Sequence, residues 1–274
     1  MSDLNTPRAN SSRQKALISA LAWRDKILKS LASNGLGGTI RVALLKLIND
    51  WRKHRWRRAG EIFDRSHNIN TEEIIPVSEL AAGSSDTNQS LWYEPAPVDA
   101  LQVALRRIRN DYSRHVFIDL GSGMGRCALI ASDFNFRKII GVEFAENLHS
   151  QAIKNRESYH SKQQKCADVD FLLADVRSFN FPCHDLVVCI FDAFKSELLK
   201  EVLSNLRNAY YSSGKSIHLI YVNPTVRNRS IELMESSGFL RKRNPFNLLD
   251  KAKLYFACPL PVVVYEAVEQ RTRV

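Results

Sequence analysis

Val116-Phe-Ile-Asp-Leu-Gly-Ser-Gly-Met-Gly-Arg126 is the stretch on which the reading of the fold turns. Val116–Leu120 is a short apolar run bounded by glycine, the pattern of a strand buried on both faces. It leads into Asp119-x-Gly121-x-Gly123-x-Gly125 and then into a helical pattern through Ala131. Glycines there let the backbone turn sharply and let a ligand approach the main chain closely. The helix start that follows offers unpaired N–H groups and the positive end of a dipole, which suits a carboxylate or phosphate. Asp119, Gly121, Ser122, Gly123 and Gly125 are therefore the first candidate ligand-binding residues.

Outward from this loop the chain alternates strand and helix. Helical patterns are expected over 98–109, 145–157, 195–209 and 227–235, and strands over 138–143, 169–173, 186–191, 217–222, 239–243 and 262–266. Such alternation predicts an α/β fold with a doubly wound, mostly parallel seven-stranded sheet. No helical pattern separates the last two strands, so they are expected to close the sheet as a C-terminal β-hairpin.

Glu143 ends the second strand, 22 residues beyond Gly121. An acid at that place can accept both hydroxyls of a ribose, in a dinucleotide or in S-adenosylmethionine (SAM). Phe144 follows it. Asp175, after the third strand, can accept from an exocyclic adenine amine, with the Val176 N–H reaching a ring nitrogen; a plain helix N-cap is the bland alternative. Phe191 and Asp192 end the fourth strand, at the edge where open α/β sheets hold ligands. Tyr221-Val-Asn223 ends the fifth strand at that same edge. Asp192 and Tyr93 are the candidates for orienting an acceptor. Gly123-x-Gly125-x-x-Ala128 loosely fits a dinucleotide fingerprint as well. Against that rival, an acid at Asp119 suits an ammonium group, and a closing hairpin departs from the dehydrogenase plan.

Asp119-Leu-Gly-Ser-Gly-Met-Gly, Gly141-Val-Glu143, Ala174-Asp175 and Phe191–Phe194 together resemble the successive motifs of class I SAM-dependent methyltransferases, over about residues 93–266. The Phe-Ile-Asp-Leu-Gly-Ser-Gly and Gly-Val-Glu phrasing is similar to Dot1-like protein-lysine methyltransferases. It is also similar to bacterial methyltransferases with an upstream segment like Phe63-Asp64-Arg65…Thr71. The resemblance implies SAM as cofactor and a methyl acceptor as partner. A protein side chain such as lysine is the preferred acceptor, with a small molecule or RNA as alternatives. Phe-Asp192-Ala-Phe replaces the Asn-rich stretch common at the fourth strand of such relatives, and no Asp-Pro-Pro-Tyr signature is present. An NAD(P)-linked oxidoreductase and a non-catalytic SAM-binding module are the rival classes.

Charge divides the chain. Of 274 residues with a net charge of +10, residues 1–60 hold 13 Lys/Arg and 3 Asp/Glu, so the remainder is neutral overall. The expected organisation is a basic helical extension over 1–60, a linker or lid over 61–96, and the SAM-binding domain over 97–274. The extension reads as two helices broken at Ser33–Gly38, each with an apolar face that should dock on the larger domain. Its basic cluster, with Trp51 and Trp56 placed to stack on bases, can meet nucleic acid, another acidic partner or an anionic membrane surface, or can simply be solvated. Five scattered cysteines without a CxxC pair argue against a metal site or a disulfide framework. The polar N-terminus and the lack of a long apolar run point to a cytoplasmic protein with no transmembrane segment.

Overall fold

The computed structural model describes residues 8–75, 93–109, 111–191, 194–223, 229–258 and 260–269. It divides into two compact units, residues 1–51 and 52–274.

In the larger unit the glycine-led strand lies near the middle of a seven-stranded sheet. The strands are β1 (His115–Leu120), β2 (Lys138–Glu143), β3 (Val169–Leu173), β4 (Asp185–Phe191), β5 (Ile217–Val222), β6 (Leu240–Arg243) and β7 (Val262–Ala267). Their order is β3-β2-β1-β4-β5-β7-β6. The first five run parallel to one another, while β7 runs antiparallel to both β5 and β6.

Helices cover both faces, and the two-residue period of β1 assigns its side chains between them. Phe117 packs with residues of α2 (Val98–Ile108) and α3 (Arg126–Ala131). Val116, Ile118 and Leu120 pack on the other side with α5 (Ser196–Ser213) and α6 (Ser230–Ser236). A helix α4 (Glu146–Ser158) links β2 to β3. By the same alternation Asp119 shares the face of Phe117, beneath α3.

The expected closing pair of strands is present and antiparallel, but it is not a simple hairpin. Helix α7 (Leu248–Ala257) intervenes, started by a capping box in which Asn247 and Asp250 bond each other's backbone N–H. Amphipathic spacing does not reveal it because its apolar residues face outward; Leu248 is 82% exposed, and Leu249, Tyr255 and Phe256 are exposed too. It is anchored by an ion pair from Arg107 to Asp250 at 2.8 Å, and Arg52 lies 4.1 Å over the Tyr255 ring.

The expected N-terminal break is present: α1 (Arg8–His67) is two helices joined across a kink at Gly35, at φ 64° and ψ −179°, inside the Ser33–Gly38 stretch. Its C-terminal part continues past the expected end because Trp56, Gly60, Phe63 and Asp64 form one buried row at helical spacing. Trp56 is therefore closed to base stacking, contrary to expectation. Within the smaller unit Leu36, Ile40, Leu44, Leu47, Ile48 and Trp51 are exposed.

Two leucines test this arrangement. Leu105, fully buried in α2, should lose about 2–5 kcal/mol of stability on replacement by Ala. Leu248→Ala should stay within about 0.5 kcal/mol. Urea unfolding of both variants checks the outward face of α7.

Candidate cofactor site

At the carboxyl edge of the sheet, β1 and β4 are neighbours, and their connections leave in opposite directions. This is the switch point at which such sheets hold ligands. The chain turns there through Gly121, Gly123 and Gly125, with φ of 76°, 53° and 90°. At Gly123 the left-handed backbone is matched by close contact: a Cβ would sit 2.2 Å from Cε2 of Tyr93. At Gly125 it would sit 2.5 Å from the Phe171 ring.

Two acids flank the turn, and both are buried. Glu143 is fixed by main-chain donors: Gly123 N–H reaches Oε2 at 2.8 Å, while Phe144 and Ala145 N–H reach Oε1 at 3.0 and 2.9 Å. Burial pushes its carboxyl above the usual range even against those donors. Asp119 is 2% exposed, and burial, reinforced by the Glu143 charge, pushes it up to about 7. Asp119 Oδ2 and Ser122 Oγ are buried without a hydrogen-bond partner. A buried polar atom left unpaired is costly, so this pair marks a place where a polar ligand would be welcome. Cys127 and Cys189 lie beside Asp119, with the three ligand atoms within 4.8 Å of one another. Their mutual hydrogen bond and burial raise the Cys127 thiol; at Cys189 that bond lowers the thiol, but burial and the Asp119 charge together outweigh it and raise it. Protonated thiols are poor metal ligands.

A second layer, not anticipated from the sequence, holds the loop from below. Arg126, 2% exposed, opens α3 and reaches back to the end of α1 and the segment after it. Its Nε donates to Thr71 Oγ1 at 2.6 Å, and a terminal nitrogen lies 3.1 Å from Asp64 Oδ1 and 2.7 Å from Glu72 Oε2. Another donates to the Ala96 carbonyl at 3.3 Å. Asp64 in turn accepts from the Thr71 hydroxyl and from the Thr71 and Glu72 N–H groups. Asn155 on α4 completes the stitching, donating to the carbonyls of Asn70 and Met124 and accepting from Asn70 N–H. Ile75 and Tyr93 exchange backbone hydrogen bonds. That bridge lays the Tyr93 ring over Gly123, with its hydroxyl donating to the Thr71 carbonyl at 2.9 Å. Burial holds that hydroxyl far above its ordinary value, so it stays protonated. Asp64 and Thr71 stood out in the sequence only through a resemblance; no spacing could show that they meet Arg126.

The remaining candidates lie along the same edge. Phe144 and Phe191 are partly buried at the ends of β2 and β4, and Val176 is buried after β3. Asp175 is engaged by Arg177, whose side chain approaches to 2.6 Å and whose N–H donates at 2.8 Å; the side-chain bond lowers the Asp175 carboxyl. Asn223 directly follows β5, with φ 58°. Asp192 lies outside the described residues.

Strand order and loop together define a class. A sheet ordered 3-2-1-4-5-7-6 with an antiparallel seventh strand departs from the 3-2-1-4-5-6 order of dinucleotide-binding domains. It is the mostly parallel Rossmann-like fold expected from the class I methyltransferase resemblance. The particular likeness is to the histone methylation protein DOT1, whose family model matches residues 99–181. That bears out the expected class I resemblance with a Dot1-like relationship. No curated protein matches the chain. Among solved structures, ribosomal protein L11 methylase from Lactobacillus delbrueckii subsp. bulgaricus is similar at 11% identity and TM-score 0.42, covering 62% of this chain and 78% of that one. An RNA methyltransferase from Salinibacter ruber, in complex with S-adenosyl-L-homocysteine, is similar at 16% identity and TM-score 0.39, covering 64% and 92%. Among the described residues no helix is long and apolar enough to cross a membrane.

Removing Arg126 tests the second layer. Arg126→Met leaves Asp64 and Glu72 without their cation and should cost about 3–5 kcal/mol in urea unfolding. A loss under about 1 kcal/mol would show that the cluster does not hold the loop.

Proposed function

We propose that the protein is a SAM-dependent methyltransferase. The observation that carries this reading is the unpaired Asp119 and Ser122 oxygens, buried beside the glycine turn at the switch point. In this reading Asp119 receives the ammonium of the methionyl group, and Gly121, Ser122, Gly123 and Gly125 line its path. Glu143 takes the ribose hydroxyls on its remaining lone pairs, while Asp175 and Val176 take the adenine between Phe144 and Phe191. The residues fit the cofactor: a carboxylate raised by burial is suited to a cation, and its unpaired oxygen can take one.

Bound SAM supplies an electrophilic methyl group on a sulfonium, open to in-line displacement. The chain's own part is to align the acceptor with that methyl, exclude water and let an amine acceptor lose its proton. Tyr93 contributes by packing on Gly123 rather than by proton transfer, because its hydroxyl stays protonated and is spent on the Thr71 carbonyl. Asp192, beyond β4, orients the acceptor. A protein side chain such as lysine is the preferred acceptor, in line with the DOT1 match over residues 99–181. Incubation of the protein with methyl-labelled SAM and cell lysate tests the reading. Label in protein supports it, label in RNA or a small molecule moves the acceptor, and no transfer leaves a binding module.

Asp119 gives a pH signature. Its folded value, about 7, lies above the ordinary 3.8. The retained proton therefore stabilises the fold fully below about pH 4, and that contribution is lost as pH rises through about 7. Cofactor binding needs the ionised form, so SAM affinity should rise about fivefold from pH 6 to 7, where an α-amino group stays mostly protonated. Calorimetry across that range checks the slope. Asp119→Asn should bind weakly and without it, and a flat profile in the unaltered protein would contradict the ammonium assignment.

A further inference from the structure

The smaller unit carries a row of exposed apolar side chains. On α1, Leu36, Ile40, Leu44, Leu47, Ile48 and Trp51 recur at helical spacing, and each is exposed, Leu36 at 70% and Leu47 at 66%. At about 100° per residue they share an arc of about 120°, on a stretch roughly 24 Å long. Val42 and Leu45 are exposed as well but fall outside that arc. Arg41 borders the stripe, and Lys46, Asn49 and Asp50 lie beyond it. Scattered exposed apolar side chains are ordinary on a soluble surface; a continuous row is the mark of an interaction site.

Charge selects the occupant. Residues 1–51 carry eight Lys/Arg and three Asp/Glu, a net of +5, in a chain whose whole excess of positive charge lies in its first 60 residues. A second copy would bring two such segments together against their own repulsion. An anionic lipid surface attracts them and takes up the apolar stripe at the same time. Trp51, at one end of the row, belongs to the residue type favoured at a membrane–water boundary. The helix is not apolar enough to cross a bilayer, which leaves it lying along the surface.

We propose that the stripe of α1 between Leu36 and Trp51 seats the protein on an anionic lipid surface, the helix lying in the interfacial plane. This stands independently of the methyl-transfer reading, since no residue of the candidate cofactor site takes part.

The test is co-sedimentation of the full chain with vesicles of phosphatidylcholine alone and of phosphatidylcholine with phosphatidylserine at about three to one. The bound fraction should be at least about tenfold greater on the anionic vesicles and should fall as salt is raised. A Leu44→Glu, Leu47→Glu double variant should lose binding about tenfold or more. Both sites are exposed, so its circular dichroism and thermal midpoint should match the unaltered protein. Absence of binding, equal binding to both vesicles, or an unaffected double variant would overturn the proposal. So would a stable dimer in solution that binds no vesicles and dissociates in the double variant, which would assign the stripe to a second copy.

Discussion

A strand buried on both faces has no water to offer a carboxylate, yet β1 carries Asp119 one residue before its end, and the site depends on that placement. The two-residue period directs Asp119 under α3, into the layer of Phe117 and Cys127, while Ile118 and Leu120 face the opposite core. A slip of one residue in the register of β1 would exchange those faces and put the carboxylate among leucines and valines. The glycine turn that follows is what lets α3 fold back over the same carboxylate. Burial pushes Asp119 up to about 7, so it is about half ionised at pH 7, and leaves one oxygen unpaired. Such an atom is a standing cost in the free protein, one that a cationic ligand group would offset.

The loop cannot hold that shape alone. Glu143 ties it from β2 through three main-chain donors, and Arg126 ties the start of α3 to Asp64, Thr71 and Glu72. Through the Thr71 carbonyl and the Ile75 bridge, the same cluster sets the Tyr93 ring on Gly123. The end of α1 and the segment after it are therefore part of the site's frame, and Asp64 and Glu72 serve the loop before any substrate.

What the sequence made legible follows from locality. Val116–Gly125 carries its strand, turn and helix start within one short window, and Glu143 repeats the same relation at the end of β2. The mostly parallel order follows from strand–helix alternation. The Arg126 cluster was hidden because Asp64, Thr71 and Glu72 lie far upstream, Thr71 by 55 residues, and each looks like an ordinary solvated polar residue. Helix α7 was hidden because its apolar side chains face outward, leaving only the Asn247-x-x-Asp250 capping pair as a local signal. At Ser33–Gly38 the glycine-rich stretch announced the break between two helices, which falls at Gly35.

The central claim is that this edge of the sheet holds SAM and not a dinucleotide. Isothermal titration of the full chain with SAM and with NAD, at pH 7.5 or about that, tests it most directly. The account predicts saturable SAM binding at micromolar affinity or better, about 8 kcal/mol or more, and no measurable NAD binding. Tighter binding of NAD than of SAM would contradict it.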